Sequence, residues 1–312
     1  MERPGIIVIT GPTATGKTAL GALLARKIGG EVVSADSMQV YRRMDIGTAK
    51  PTAEEMLGVP HHLIDVIPPQ EDYSVARYVA DAQRSIGDIL GRGKQPLLVG
   101  GTGLYIDSLL SGRSFSARGD AALRRKLEDE YDEAGGAAML SKLGGFDRES
   151  AEKLYPNDKK RIVRALEAYL STGKTISQHD RETKALPPRY CSLRFALTFS
   201  DRSELYARID RRVDSMVAGG LEEEVRGLLG MGVSPEGTAM QAIGYKEMAA
   251  AIRGDLGMEA AVEKIKMESR RYAKRQLSWL RRDTGARWIS WKGEPDVAGA
   301  AGIIEMEISG QL

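Results

Sequence analysis

The stretch Ile6-Ile7-Val8-Ile9-Thr10-Gly11-Pro12-Thr13-Ala14-Thr15-Gly16-Lys17-Thr18 decides how the rest of the chain is read. Its first four residues are β-branched and apolar, which suits a central parallel strand buried on both faces. Gly11 to Thr18 then matches G-x-x-x-x-G-K-[ST] in full, and Ala19–Ile28 behind it is helical in composition. Strand, glycine loop and helix in this order make a phosphate cradle. Backbone N–H groups turn inward, and the helix adds the positive end of its dipole. Gly11, Pro12, Thr13, Ala14, Thr15, Gly16, Lys17 and Thr18 are therefore the expected diphosphate or nucleotide (ATP-type) site. Lys17 would neutralise an outer phosphate, and the Thr18 hydroxyl would join the shell of a Mg²⁺ ion.

Outward from this loop, Glu31–Ser34 reads as a second strand that leads to Asp36. Ser74 can cap a helix running to about Leu90, stopped by Gly91-Arg92-Gly93. Pro96–Val99 reads as a third strand, followed at once by Gly100-Gly101-Thr102-Gly103. This alternation predicts an α/β fold: a P-loop NTPase-like parallel sheet with helices on both faces. From Phe115 to Pro188 the chain lacks β-branched runs and reads as helices, among them Asp120–Ala134 and Asp158–Leu170. Residues 115–189 are thus expected as a helical insertion domain, and 1–114 with 190–312 as the core. In the latter, Tyr190–Thr198 and Arg287-Trp288-Ile289 read as strands. Ser203–Ala218, Glu222–Leu229 and Met258–Arg282 read as helices.

The 312 residues are 42% hydrophobic and 28% charged, the composition of a globular protein with a real core. No apolar run is long enough to cross a bilayer, and Met1-Glu2-Arg3-Pro4 leads straight into a strand-like run, with no signal peptide. A single cysteine, Cys191, excludes an internal disulfide framework and a Cys-rich zinc site; it reads as a small buried side chain. A cytoplasmic protein is expected, and with no long heptad pattern, a monomer. The net charge is only +2, yet Lys264, Lys266, Arg270, Arg271, Lys274, Arg275, Arg281, Arg282 and Arg287 crowd one segment against Glu268 and Asp283. Arg270/Lys274 and Arg271/Arg275 are i,i+4 like-charge pairs, which an anionic partner such as RNA would relieve.

A P-loop alone does not name a reaction, since small-molecule kinases share it. The third strand here ends in Val99-Gly100-Gly101-Thr102 without a carboxylate. The nearest strand-end carboxylate is Asp36. That weakens ATP hydrolysis and points to a diphosphate that departs. His61-His62 suggests a metal to the eye, but adjacent residues converge poorly on one ion, and a structural role is expected.

With Asp36-Ser37-Met38-Gln39-Val40-Tyr41, Met44-Asp45-Ile46-Gly47-Thr48-Ala49-Lys50-Pro51, Pro60-His61-His62-Leu63-Ile64-Asp65 and Gly100-Gly101-Thr102-Gly103-Leu104-Tyr105, the chain resembles the tRNA dimethylallyltransferases, bacterial type. Asn157-Asp158 with Arg161 and Arg164-Ala165-Leu166-Glu167, Ala242-Ile243-Gly244-Tyr245-Lys246-Glu247 and Lys274-Arg275-Gln276-Leu277-Ser278-Trp279-Leu280-Arg281 continue the match. The resemblance implies transfer of a dimethylallyl group from its diphosphate to N6 of adenine 37, just 3′ of the anticodon of a tRNA. Lys17 and Mg²⁺ at Thr18 would stabilise the departing diphosphate. Asp36 would be the general base for N6, with Thr102 orienting the amine or the diphosphate.

It further implies an anticodon stem-loop held by Asp36, Ser37, Met38, Gln39 and Thr102 around the extruded base, with the Gln39 amide on an adenine edge. Arg124, Lys160, Arg161, Ile162, Val163 and Arg164 would touch the RNA from the insertion, and Gln241, Ala242, Ile243, Gly244, Tyr245 and Lys246 from a third segment. Lys274, Arg275, Gln276, Leu277, Ser278, Trp279, Leu280 and Arg281 complete the set. Arg208 and Arg212, one turn apart, are open candidates for the diphosphate.

Overall fold

The computed structural model describes residues 5–112, 120–184 and 186–310. The chain divides into two compact units, Met1–Leu110 with Tyr190–Leu312, and Ser111–Arg189. The expected boundary at 114/115 lies outside the described residues.

The first unit begins with β1 (Gly5–Thr10), α1 (Lys17–Ile28), β2 (Glu31–Ser34), β3 (His61–His62), α2 (Val75–Gly91), β4 (Pro96–Gly100) and α3 (Gly103–Leu110). The sheet runs β3-β2-β4-β1-β5-β6 and is parallel throughout, with β5 (Cys191–Phe199) and β6 (Ala286–Trp291) returning after the second unit. β1 is central, with Ile7 opposite Leu97 on one side and Leu193 on the other. Ile6 to Ile9 are buried as that place demands. Ser74 accepts a hydrogen bond from Arg77 N and so caps α2.

Two expectations need correction here, and one segment gains an assignment. Pro96–Val99 belongs to the fourth strand in chain order, because His61-His62 forms a two-residue edge strand paired with Val32-Val33. No apolar run announces it; His61 Nδ1 lies 2.8 Å from Val59 O and His62 Nε2 lies 2.7 Å from Glu31 Oε2. Cys191 is exposed, since it is the first residue of β5, opposite Gly5 at the rim of the sheet. The Ala/Gly-rich tail, unassigned from sequence, closes the unit as a helix described below.

The second unit is helical: α4 (Ala121–Ala134), α5 (Gly136–Gly144), α6 (Arg148–Ala151), α7 (Lys159–Thr172) and α8 (Ile176–Lys184). Its own small core joins Leu127, Met139, Leu143, Ile162, Val163 and Leu166. After β5 the first unit continues with α9 (Arg202–Ala218), α10 (Leu221–Gly230), α11 (Tyr245–Ile252), α12 (Met258–Leu280) and, beyond β6, α13 (Val297–Ile308). Ala300, Ala301 and Ile304 of α13 join the core cluster that contains Leu20 and Leu24 of α1. Trp291, the last residue of β6, is buried and donates from Nε1 to Thr15 O at 3.0 Å. The far end of the chain thereby pins the glycine loop.

Candidate active site

Thr10 ends β1, and the chain turns through Gly11–Gly16 into α1. Gly16 sits at φ +84°, left-handed backbone that a side chain would strain. Thr15 Oγ1 donates to Pro12 O at 2.8 Å, and Lys17 Nζ donates to the same carbonyl at 2.7 Å. Against this loop lies a cavity of about 410 Å³. Thr13, Lys17 and Thr18 line it from the loop, Asp36 to Gln39 from the end of β2, and Val99 to Gly101 from the end of β4. Ile209, Arg212, Val213 and Met216 of α9 and Ile265, Tyr272, Arg275 and Gln276 of α12 supply further walls. All lie in the sheet unit, at the carboxyl ends of parallel strands where α/β sites assemble.

Among the described lining residues the cations are Lys17, Arg212, Lys246 and Arg275, and the single carboxylate is Asp36. Burial, then the positive Arg212, push the Lys17 ammonium down to about 7, with Asp36 opposing. Burial also lowers the Arg212 guanidinium, again with Asp36 opposing. Cations that are desolvated and repel one another mark a place for an anion. Arg212 thus joins Lys17 in the cavity, whereas Arg208 pairs with Glu294 and donates from Nε to Ala14 O at 3.3 Å. Sequence spacing alone could not separate the two.

Asp36 does two things at once. Oδ1 accepts from Met38 N at 2.8 Å and Gln39 N at 3.3 Å, which builds the turn after β2. None of the described residues hydrogen-bonds its Oδ2. Thr102 Oγ1 accepts from Ser37 N at 3.2 Å and so holds the next residue in place, and its side chain also bonds Tyr272 of the cavity wall. The Gln39 amide, expected on an adenine edge, is already used. It is buried, and Nε2 donates to Thr48 O and Ala49 O, each at 3.3 Å.

The C-terminal basic helix divides by face. Lys274, Arg275, Ser278 and Arg281 are exposed. Gln276, Leu277 and Leu280 are buried, so these three do not present side chains to RNA. Gln276 Oε1 accepts from Thr13 N at 2.9 Å, and its Nε2 donates to Gly101 O at 2.9 Å. One amide thus joins the glycine loop to the end of β4, and a Cβ at Gly101 would collide with it at 2.3 Å. Trp279 packs over Gly103 and donates from Nε1 to Asp107 Oδ2 at 2.7 Å. The like-charge repulsion expected along this helix is relieved within the protein at two positions. Arg270 pairs with Asp210, and Arg271 with Glu268.

In the third segment, Gln241, Ala242, Ile243 and Lys246 line the cavity. Gly244 is buried and donates to Glu247, and Tyr245 is fully buried. In the helical unit, Ile162 and Val163 are core residues and Lys160 and Arg161 are exposed. Arg124 and Arg164 share the buried carboxylate of Glu167, at 2.9 and 3.0 Å. Each contiguous run named from the motifs therefore mixes outward and inward side chains, as a helix must.

The decisive comparison is with family models. Residues 39–283 match the IPP transferase model, and residues 4–66 match the isopentenyl transferase model. The chain belongs to the IPP transferase family. The tRNA dimethylallyltransferase of Desulforudis audaxviator is 50% identical over 309 residues, covering 97% of this chain and 99% of the relative. That of Geobacter sulfurreducens is 46% identical, covering 93% of each. Among solved structures of the family, the tRNA isopentenylpyrophosphate transferase of Bacillus halodurans superposes with a TM-score of 0.74 at 41% identity, covering 99% of this chain and 96% of that one. A eukaryotic dimethylallyltransferase acting on tRNA gives 0.83 at 31% identity, covering 98% and 80%. The family's fold is the one described here.

Proposed function

We propose that the protein transfers a dimethylallyl group from dimethylallyl diphosphate to N6 of the adenine 3′ of the anticodon, nucleotide 37, in tRNA, and releases diphosphate. Membership of the family and the names of its close relatives support the tRNA prenyltransferase activity. The observation that carries the chemistry is the pairing of an anion site, Lys17 with Arg212, with one carboxylate in the same cavity.

The diphosphate sits in the loop Gly11–Thr18, against Lys17 and Arg212. As the allylic C1–O bond breaks, its electron pair leaves with the diphosphate, and these two cations stabilise the charge that develops there. N6 attacks C1 and its proton passes to Oδ2 of Asp36, the oxygen that the turn leaves for this purpose. Thr102 fixes Ser37 and hence the floor on which the base rests. Apolar Ile209, Val213 and Met216 flank Arg212 on one face of α9 and suit the hydrocarbon tail. The Thr18 hydroxyl in the cavity wall also suits Mg²⁺ as a hard oxygen donor, and no described cluster of three ligating side chains could form a full cage. Bound there with diphosphate oxygens and water, Mg²⁺ would neutralise charge on the leaving group.

Lys160 and Arg161 on the helical unit, and Lys274, Arg275 and Arg281 on the sheet unit, suit RNA phosphates. We take the enzyme to act as a monomer. Among the described residues no helix is long and apolar enough to cross a membrane, and we place the enzyme in the cytoplasm with its substrate. The test is incubation with Mg²⁺, radiolabelled dimethylallyl diphosphate and unmodified tRNA carrying adenine 37. Label in the RNA that is lost when that adenine is changed supports the reading. Absence of label, with ATP turnover on a small acceptor, would replace it with a kinase.

A further inference from the structure

Part of the cavity wall that Asp36 shares is made by Gly47 and Thr48 on one stretch of chain and by Gln241–Ile243 with Lys246 on another. Neither segment is a strand or long helix, so something else must fix them. Both are tied to one side chain, Glu224 of α10. Its Oε2 accepts from Asp45 N at 2.7 Å and Ile46 N at 2.8 Å, and its Oε1 from Gly47 N at 3.1 Å. Three successive backbone N–H groups aimed at one carboxylate form an anion nest. The same Oε1 accepts from the hydroxyl of Tyr245 at 2.5 Å, the residue that follows Gly244 and opens α11. The Tyr245 ring in turn lies so close to Gly47 that a Cβ there would meet it at 2.4 Å.

We infer that Glu224 is a positioning residue for the acceptor base: it joins the two walls, 45–48 and 241–246, that the adenine must fit between while N6 faces Asp36. This rests on the reading of the cavity as a prenyl-transfer site. The diphosphate cradle has its own anchors in Gln276 and Trp291, so the two halves of the site are supported separately. A glutamine at 224 would turn an NH₂ toward backbone or phenol donors, which leaves at least one of them without an acceptor.

The test measures steady-state transfer to tRNA together with calorimetric binding of inorganic pyrophosphate, for wild type, Glu224→Gln, Tyr245→Phe and the double variant. Wild-type transfer in the same assay shows that the underlying reading holds, and its absence would fail that reading rather than this one. The expected result is a rise in KM for tRNA of roughly tenfold to a hundredfold in Glu224→Gln, the size of a lost charge-assisted hydrogen bond. Pyrophosphate affinity should stay within about twofold of wild type, since its contacts are elsewhere. Tyr245→Phe should move KM the same way by less, and the double variant by less than the product of the two. Unchanged KM for tRNA in either single variant, or pyrophosphate affinity falling in step with it, would overturn the assignment. Should Glu224→Gln fail to fold, Tyr245→Phe alone decides by the same two readings.

Discussion

Lys17 and Arg212 share one cavity, and each is held below its ordinary proton affinity by burial. Burial, reinforced by the positive Arg212, brings the Lys17 ammonium down to about 7 from an ordinary 10.5. An arriving diphosphate replaces the lost hydration of both cations and favours the charged form of Lys17.

Binding of pyrophosphate at pH 8 should therefore take up close to one proton through Lys17, since a group with a pKa of about 7 is mostly neutral there. Calorimetry in two buffers of different ionisation enthalpy measures this, and Lys17→Met should lose it. The ligand-free protein carries the matching signature. Its Lys17 binds fewer protons than the unfolded chain between about pH 7 and 10.5, so this group's contribution makes stability rise with pH across that window and nothing changes below it. Lys17→Met should flatten that rise in denaturant titrations.

Asp36→Asn keeps an oxygen for Met38 N and Gln39 N, so the turn after β2 should persist. What it removes is the proton acceptor for N6. Single-turnover transfer should fall by roughly 10²–10⁴-fold, the span usual for loss of a general base. Pyrophosphate and tRNA affinities should move little. A variant that turns over like wild type would exclude Asp36 as the base.

Gln276→Leu should weaken donor binding without touching a group that contacts the donor. The buried amide bonds Thr13 N and Gly101 O, and its loss leaves a loop N–H without its acceptor. A cost of about 1–3 kcal/mol, split between stability and pyrophosphate affinity, is expected. Thermal unfolding with and without pyrophosphate separates the two shares.

Removal of Lys274 and Arg275 together should lower tRNA affinity and reduce the slope of log K against log salt by about one to two, as for two lost phosphate contacts. Arg270→Gln and Arg271→Gln should change that slope less, because Asp210 and Glu268 already neutralise those guanidinium groups. Equal slopes for both pairs would contradict the division of the helix into an RNA face and an internally paired face.

The parallel sheet and its loop were legible because Ile6–Ile9 and Gly11–Thr18 each carry one strong local constraint, burial on both faces and inward backbone amides. Asp36 was legible for the same reason, as the carboxylate at a strand end. Arg212, Gln276 and Glu224 were not. Each acts across more than 100 residues of chain, on Lys17, on Thr13 and on Asp45–Gly47, and nothing in their neighbours' spacing records those partners. Runs carried over whole from the motifs, such as 160–164 and 274–281, concealed the alternation of a helix. Ile162, Val163, Leu277 and Leu280 face the core. His61-His62 escaped as a strand because a two-residue edge pairing leaves no periodicity to read.

The proposed reaction breaks a carbon–oxygen bond at the glycine-loop cavity, with diphosphate as leaving group. It can be tested with dimethylallyl diphosphate carrying ¹⁸O at the bridging oxygen, incubated with the enzyme, Mg²⁺ and tRNA. Mass spectrometry should find the ¹⁸O wholly in the released diphosphate and the prenyl group on N6 of adenine 37. Recovery of ¹⁸O in a prenyl alcohol or monophosphate, with phosphate moved to an acceptor, would mean that a phosphorus–oxygen bond is broken instead, and would contradict the account.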